Sequence, residues 1–321
     1  MSAHEPGADA AVRAPAVAGT FYPADPARLG KMVAALLAAA SDQAGAGGAA
    51  AAASATVPQA ATASGAAPGA ATGDLVGILV PHAGLAYSGL VAAAGWRLVP
   101  DGATVVILGT NHTASWLDGV GAWETGRWRT PLGEVAIDTA LAAEIGALGP
   151  PFGTDRAAHL GEHSIEVQLP LLLSVAPAAR IVPLAVGAGT GAGAVAAGQR
   201  LGALLARRRA GGARIVLAIS SDMAHYPPAD ACARVTAALL LAILGLLPED
   251  LAREEAALGR GPGSGPGMAC GMCGIEPAVL GLAALRAMGA THGVALASGT
   301  SADAGADPRR AVGYLSVAFG G

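Results

Sequence analysis

The chain contains 321 residues, of which 53% are hydrophobic, so it is long and apolar enough to bury a sizeable core. Its formal net charge is −4 and its 19 lysine and arginine residues are thinly spread, which gives no basis for binding a nucleic-acid backbone. The N-terminus lacks the apolar stretch of a secretory signal, and the longest apolar run, from Val235 to Pro248, is too short to cross a bilayer. Three cysteines do not make a disulfide framework, so we predict a reduced, cytoplasmic protein without membrane contact.

Some stretches of the chain have the composition of flexible segments. Residues Ala44 to Gly73 contain no large apolar or charged side chain and cannot offset the entropy lost on ordering. We predict a flexible surface insertion there, and a second mobile stretch from Gly259 to Met268, which is rich in glycine and proline. We also predict a disordered tail over residues 1–14 and one domain over residues 15–321 that contains the insertion.

Between these stretches, patterns typical of strands and helices alternate. In chain order the sequence predicts a strand over 75–82, a helix over 87–98, a strand over 103–112, a hairpin over 120–138, a helix from Asp138, a helix over 162–176, a strand over 180–187, a helix over 192–207 and a strand over 213–226. Helices after Ala229 and Pro248, a last helix over 274–289 and two strands complete the chain. Strands separated by helices indicate an α/β fold, a single domain with a central mixed β-sheet flanked by helices.

Three of the apolar strands are followed directly by histidine. His82 stands in "VPHAG", His112 in "LGTNHT", and Asp222 and His225 in "SSDMAHY". Because sites in open α/β sheets form beyond the carboxyl ends of strands, we expect these side chains to open onto one crevice. Two neutral imidazoles with one anionic ligand are a common triad for iron, copper or zinc.

The anionic member of such a triad remains open from the residues alone. Cys270 and Cys273 in "ACGMCG" are candidates, and so is Asp222. Cys-x-x-Cys is also typical of a redox pair or half a zinc knuckle, and two small residues at a helix start would look the same. A thiolate at a helix N-terminus is electrostatically favoured, which supports a functional role for this pair.

The segment "HLGEHSIEVQLP" contains His159, Glu162 and His163 in the H-x-x-E-H spacing of some zinc peptidases. Gly161 interrupts the regular helix that this pattern requires, and a further ligand would be needed from elsewhere. We instead predict that Glu162 caps a helix and that His163 and Glu166 face the crevice.

Several motifs resemble one known family. They are "AGTFYPADPARL", "VPHAGLAYSG", "LGTNHT", "TPLGEVAID", "EHSIEVQLPLL", "IVPLAVG", "SSDMAHY" and "CGMCGIEPAVLGLAAL". Together they are similar to the MEMO family, whose bacterial members are called AmmeMemoRadiSam system protein B. The resemblance runs from about Pro15 to Phe319 and omits the low-complexity insertion.

This resemblance implies the fold of the class III extradiol (LigB-type) dioxygenases, which are non-haem iron enzymes. In MEMO proteins the metal triad of two histidines and a glutamate is replaced by two histidines and a cysteine. Carried over residue by residue, the resemblance implies His82, His112 and Cys270 as ligands. It implies Asp222 as the nearby acid and His225 as the histidine that faces the metal.

The cysteine motif departs from the family pattern. Family members commonly have C-G-R followed by His or Gly and then Pro, whereas this chain has Cys270, Gly271, Met272, Cys273 and Gly274. On this alignment Met272 replaces an arginine that would help to hold an anionic ligand. The added Cys273 is expected to compete for metal or to form a disulfide with Cys270.

Two classes of function follow. In the first, the protein is a metal-dependent redox enzyme that uses Fe(II) or Cu. His225, oriented by Asp222, would transfer protons. The pocket would be lined by Phe21, Tyr87, His163, Glu166 and Cys273. In the second, the crevice is a non-enzymatic site for a small molecule, a peptide or a protein. The family resemblance then implies phosphotyrosine peptides, as for eukaryotic members, or an AMMECR1-domain protein and a radical SAM protein, as for bacterial ones.

Overall fold

The computed structural model describes residues 12–45, 74–258 and 267–321. The strands are β1 Val12–Arg13, β2 Leu75–Val80, β3 Thr104–Thr110, β4 Val120–Ala122, β5 Arg127–Thr130, β6 Gly133–Ile137, β7 Phe152–Thr154, β8 Arg180–Val186, β9 Ile215–Ser220, β10 His292–Thr300 and β11 Gly313–Gly320. The α-helices are α1 Pro26–Gly45, α2 Leu85–Trp96, α3 Thr139–Gly146, α4 Ala157–Leu160, α5 Leu169–Val175, α6 Ala194–Ala210, α7 Ala229–Leu244, α8 Pro248–Leu258 and α9 Ile275–Ala287.

Within the described residues, eleven strands form one mixed sheet with the order β1-β5-β6-β8-β3-β9-β2-β11-β10; β4 joins it through β8, and β7 pairs with β4. The neighbours β6, β8, β3, β9 and β2 are parallel, while β11 pairs antiparallel with β2 and β10 with β11. The central strands are almost wholly buried because their apolar runs are covered by helices. This architecture confirms the predicted α/β fold with a mixed central sheet.

The order β3-β9-β2 determines where the functional side chains meet. These three strands are parallel neighbours, so their carboxyl ends lie side by side at one edge of the sheet. The loops that follow carry His112 after β3, Asp222 and His225 after β9, and His82 after β2. The three histidine-bearing loops of the sequence therefore converge on the carboxyl edge of adjacent strands.

Helix α9 is held close to α6 by glycine. A Cβ atom on Gly198 would collide with the carbonyl oxygen of Leu280, and one on Gly202 with that of Ala284. Only glycine at these positions lets the two helix backbones pack so closely. This contact fixes α9, whose N-terminus lies next to Cys273.

The N-terminal segment is more ordered than predicted. Val12 and Arg13 pair in parallel with Arg127 and Trp128, and the Arg13 side chain is 1% exposed. Residues 12–14, which were predicted to belong to a disordered tail, are therefore ordered, because β1 adds to the sheet edge and buries its arginine. Residues 1–11 lie outside the described part of the chain.

Other boundaries also differ from expectation. Helix α1 was not predicted, although Asp25 accepts a hydrogen bond from the Arg28 amide and Pro26 opens the helix, which is a typical start signal. Because α1 runs to Gly45, the first two residues of the predicted insertion are helical. Residues 46–73 of that insertion, and residues 259–266 of the second predicted mobile stretch, lie outside the described residues.

The helix predicted over 162–176 is shorter than expected. It consists of a 3₁₀ turn, Glu166–Gln168, that leads into α5. Among the described residues, no helix combines the length and apolarity needed to span a bilayer.

Candidate metal centre

Two imidazoles and one thiol converge beyond the carboxyl edge of β3, β9 and β2. One ligand atom from each of His82, His112 and Cys273 lies within 4.8 Å of the other two. The Cys273 sulfur is 3.4 Å from Nε2 of His82, and the two imidazole rings are 5.1 Å apart in an edge-on arrangement. Two nitrogens and one sulfur at this separation are a donor set that a transition-metal ion can bridge with small movements.

A buried hydrogen-bond chain fixes which nitrogen of His82 carries the proton. The Ser220 hydroxyl donates to the carbonyl of Ser164 at 2.7 Å, so its oxygen can only accept from other neighbours. It accepts from Nε2 of Gln168 at 2.9 Å, and Nδ1 of His82 lies 3.0 Å away. Nδ1 of His82 must therefore be the protonated nitrogen, and Nε2, which faces Cys273, keeps its lone pair.

Gln168 is itself held on both sides. Its Nε2 also donates to the carbonyl of Pro81 at 3.0 Å, and its Oε1 accepts from Nε1 of Trp96 at 2.7 Å. With the two amide hydrogens directed to Pro81 and Ser220, the side chain has one orientation. Burial lowers the pKa of His82 well below its ordinary value, so the imidazole stays neutral.

A carboxylate performs the same task for His112. Nδ1 of His112 donates to Oε1 of Glu162 at 3.0 Å, which leaves Nε2 unprotonated. Glu162 also accepts from the backbone amides of His112, His163 and Ser164, at 2.6, 2.8 and 2.9 Å. Burial raises the pKa of Glu162, but hydrogen bonds from the His112 side chain and from its backbone amide outweigh burial and hold this pKa below its usual range. Glu162 thus caps this turn and orients His112.

Cys273 lies directly before α9, in a polar pocket made by the loop after β9. Its sulfur accepts from the backbone amide of Asp222 at 3.3 Å and lies 3.9 Å from the Ser221 hydroxyl. Burial, and then the charge of Asp222, raise the pKa of the Cys273 thiol well above its ordinary value. The thiol is therefore neutral in the metal-free protein, and binding to a cation would remove its proton.

The thiol beside the two imidazoles is Cys273, whereas Cys270 was expected. The chain from Ala269 to Cys273 runs antiparallel to the loop after β9: the His225 amide donates to the Cys270 carbonyl, and the Cys273 amide donates to the Asp222 carbonyl. Cys273 is thereby aligned with Asp222, which borders His82, and Cys270 is aligned with His225, further from the imidazole pair. Cys270 is half-buried, and its pKa is raised to about 11 by burial and Glu255.

A proline supplies the sequence signal that points to Cys273, the cysteine beside the two imidazoles. In the family pattern the proline follows four residues after the cysteine, and Pro277 has that spacing from Cys273 but not from Cys270. The arginine position then falls on Ile275 instead of Met272. Met272 is 1% exposed and packs in the core, so it does not stand where a site cation would.

Asp222 and His225 lie beside the group formed by His82, His112 and Cys273. Oδ1 of Asp222 accepts from the backbone amides of His82 and Ala83 at 2.7 and 3.2 Å, which fixes the loop after β2. Oδ2 lies 3.8 Å from Nε2 of His225, beyond hydrogen-bond length. Asp222 is 2% exposed. A carboxylate oxygen of Asp222 and a ring nitrogen of His225 each lie within 4.8 Å of the Cys273 sulfur. The expected orienting hydrogen bond, from the His225 imidazole to Asp222, is not formed in this geometry.

His163 and Phe21 form one wall of the site. The His163 ring stacks on His112 at 4.6 Å and contacts Phe21 at 4.5 Å. Burial lowers the pKa of His163, although Glu162 opposes the shift. Tyr87 is 49% exposed on the first turn of α2, after the loop that carries His82.

Glu166 lies in the core instead of facing the crevice. One oxygen accepts from Arg13 and the amide of Ala16, and the other from the Tyr22 hydroxyl and the amide of Val17, all within 3.0 Å. It therefore anchors the N-terminal segment that carries Phe21 to the site. Sequence spacing gave no signal for this pairing, which joins residues about 150 positions apart.

His159 points away from the metal centre. Its Nε2 donates to the Gly121 carbonyl at 2.9 Å, and its ring packs edge-on against Trp123 and Trp128. The H-x-x-E-H spacing therefore does not form a peptidase site, since His159 is fully buried on another side of the turn.

Comparison with known proteins shows the family to which the chain belongs. The family model described as "Memo-like protein" matches residues 13–318. A MEMO1 family protein of Aquifex aeolicus is 33% identical over 310 residues, which cover 96% of this chain and 99% of that protein. A MEMO1 family protein of Sulfolobus acidocaldarius is 34% identical over 319 residues, with 96% and 99% coverage. One solved structure, an uncharacterized protein of Escherichia coli K12, aligns with a TM-score of 0.46 at 15% identity, covering 77% of this chain and 100% of that one. The chain belongs to the Memo-like protein family.

Proposed function

We propose that this protein binds one transition-metal ion through Nε2 of His82, Nε2 of His112 and the sulfur of Cys273. The observation that carries the proposal is the pair of buried acceptors, Ser220 and Glu162, that keep the proton on Nδ1 of each histidine. Both imidazoles are thereby prepared as ligands before any ion arrives. Metal-binding histidines typically have such a partner on the other ring nitrogen.

The donor chemistry favours Fe(II) or copper. Imidazole suits iron, copper and zinc, and a thiolate selects softer ions than the carboxylate of the dioxygenase triad would. Three protein ligands leave coordination positions open for dioxygen or a substrate, which supports oxygen-dependent redox chemistry as the finer proposal. A reducing compartment such as the cytoplasm would keep the Cys273 thiol available.

Within such chemistry, this chain's residues would shape the site. His163 stacks on one face of the His112 ring and Phe21 packs against His163, while His112 itself stays exposed. His225 is neutral because burial lowers its pKa, an effect that Asp222 opposes, and its free Nε2 could accept a proton from a bound substrate. The bound ion would supply the redox chemistry itself.

Metal content of the full-length protein tests the proposal. Protein purified without oxygen should contain about one iron or copper ion per chain by elemental analysis. Cys273→Ser should lose the ion, while Cys270→Ser, a matched control three residues away, should retain it. If the wild type holds no iron, copper or zinc, or if Cys270→Ser and not Cys273→Ser loses it, the proposal fails.

A second candidate is recognition of a protein partner at the mouth of the crevice. Four large apolar side chains are between 40% and 61% exposed: Tyr87 on the first turn of α2, Trp116 and Tyr226 in the loops after β3 and β9, and Leu160 at the end of α4. Exposed large apolar side chains near one site are typical of an interaction surface. We propose an AMMECR1-domain protein or a radical SAM protein as the partner. Co-purification with either protein, lost in Trp116→Ser, would support this role, and an unchanged gel-filtration profile of each mixture would contradict it.

A further inference from the structure

His225 has an unusual environment for a histidine. Its Nε2 is buried and has no hydrogen-bond partner among the residues that the structure describes. The nearest carboxylate oxygen, Oδ2 of Asp222, is 3.8 Å away, too far for a hydrogen bond. A buried polar nitrogen without a partner carries a free-energy cost, so its retention calls for an explanation.

Asp222 is held so that its Oδ2 remains free of backbone hydrogen bonds. Its Oδ1 is used by the amides of His82 and Ala83, while Oδ2 is directed towards His225. The carboxyl group is 2% exposed, and the basic side chain within 4.0 Å of it is His225. A buried carboxylate is costly without a cation beside it, and an ion between the two groups would offset that cost.

The distance between Oδ2 of Asp222 and Nε2 of His225 fits an ion bound between them. Two ligand atoms that are each about 2.1 Å from a tetrahedral zinc ion are about 3.4 Å apart, so 3.8 Å requires only a small closure. Cys273 completes the group, because ligand atoms of Asp222, His225 and Cys273 all lie within 4.8 Å of one another. A third group, His112, Glu162 and His163, is unsuitable because backbone amides and His112 already occupy the Glu162 oxygens.

We propose that Asp222, His225 and Cys273 form a second metal position, and that the Cys273 sulfur bridges it to the first. One oxygen, one nitrogen and one sulfur suit a borderline divalent ion such as zinc, whereas the first position, with two nitrogens and a sulfur, is softer. The proposal rests on the proposed function through the shared Cys273. The centre would then hold two ions of different preference side by side, and Nε2 of His225 would bind the second ion in place of accepting a proton from a substrate.

Zinc stoichiometry of the full chain tests this inference. Metal-free, reduced protein is titrated with Zn(II) without oxygen, desalted, and analysed for zinc per chain. We expect about two zinc ions in the wild type, about one in His225→Ala and in His82→Ala, and none retained in Cys273→Ser. The exposed histidine His292 provides the matched control, and His292→Ala should bind as the wild type does. His225→Gln replaces His225→Ala if the latter has a lower melting temperature.

The outcomes separate the two proposals. About one zinc ion in both the wild type and His225→Ala overturns the second position and leaves the first intact. If the wild type binds one ion and His225→Ala binds none, His225 is a further ligand of a single ion. That result also overturns the second position. If His82→Ala binds as much zinc as the wild type while His225→Ala binds less, the first position fails and the bridging role of Cys273 fails with it, and zinc binding by Asp222 and His225 alone is retained.

Discussion

Nδ1 of His82 lies 3.0 Å from the hydroxyl oxygen of Ser220, whose own hydrogen is donated to the Ser164 carbonyl. Because that oxygen can only accept, it determines that His82 presents an unprotonated Nε2 to Cys273. The contact links β9, which carries Ser220, to the loop after β2, so the sheet itself determines the protonation pattern of a proposed ligand.

The first prediction concerns Ser220→Ala. Without the hydroxyl, Nδ1 of His82 loses its acceptor and the two neutral tautomers become closer in energy, so metal affinity should fall by about 10- to 100-fold. Nitrogen NMR of the metal-free protein should show protonated Nδ1 in the wild type and a mixture in the variant. Ser301→Ala, which removes another buried hydroxyl, should change neither. A wild-type tautomer in Ser220→Ala would show that the hydroxyl does not position His82.

The second prediction concerns Glu162→Gln. The amide retains the size of the side chain but loses the charge that holds His112 and cannot accept at both positions. We expect the affinity for Fe(II) or Co(II), measured by competition with a chelator, to decrease by about 10- to 100-fold. Glu144→Gln, in an exposed pair with Arg208, is the matched control and should bind metal as the wild type does. Equal affinities in both variants would contradict the orienting role of Glu162.

The sequence was sufficient to predict the scaffold of the site because its strands are continuous apolar runs. Strands β2, β3 and β9 each end where a polar loop begins, so the convergence of His82, His112 and the Asp222 loop followed from the rule for parallel sheets. Helix α1 was missed even though Asp25 and Pro26 mark its start, because its second half is alanine-rich and continues without a break in composition into the low-complexity segment that follows.

Other features depend on contacts that no local pattern encodes. The choice between Cys270 and Cys273 is made by antiparallel pairing with the loop after β9, and only the spacing to Pro277 carries a trace of it in the sequence. Glu166 looked like a crevice residue because it lies close to His163 in sequence. Its partner Arg13 is 153 residues away, and this pairing turns the carboxylate into the core.

The third prediction concerns Arg13→Met. Arg13 and Glu166 are 1% and 0% exposed and form a 2.6 Å ion pair, and the guanidinium also packs over Trp128 at 4.2 Å. Removing one partner leaves a buried charge, so the free energy of unfolding in urea should fall by about 3–5 kcal/mol. Arg234→Met breaks an exposed pair with Asp230 and should have little effect. Similar unfolding midpoints for the two variants would mean that the N-terminal anchor does not stabilise the fold.

The fourth prediction concerns stability at acid pH and His159. Burial lowers the pKa of His159 from 6.5 to about 4, although its hydrogen bond to Gly121 opposes the shift. The unfolded chain therefore binds a proton that the folded chain rejects between pH 6.5 and 4. The contribution of neutral His159 to the free energy of unfolding is fully present above pH 6.5 and declines as the pH falls. Near pH 4 this contribution has decreased by about 3 kcal/mol.

His159→Gln isolates this contribution. Glutamine does not titrate and can still donate to the Gly121 carbonyl, so the variant should lose less stability on acidification than the wild type, whatever its stability at neutral pH. Urea unfolding at a series of pH values gives the slope for each protein, and His292→Gln, at an exposed histidine, should have the wild-type slope. The buried histidines of the metal centre contribute to the same slope, so His159→Gln should reduce the acid loss without abolishing it. A slope in His159→Gln equal to that of the wild type would mean that His159 is not held neutral by its burial against Trp123 and Trp128.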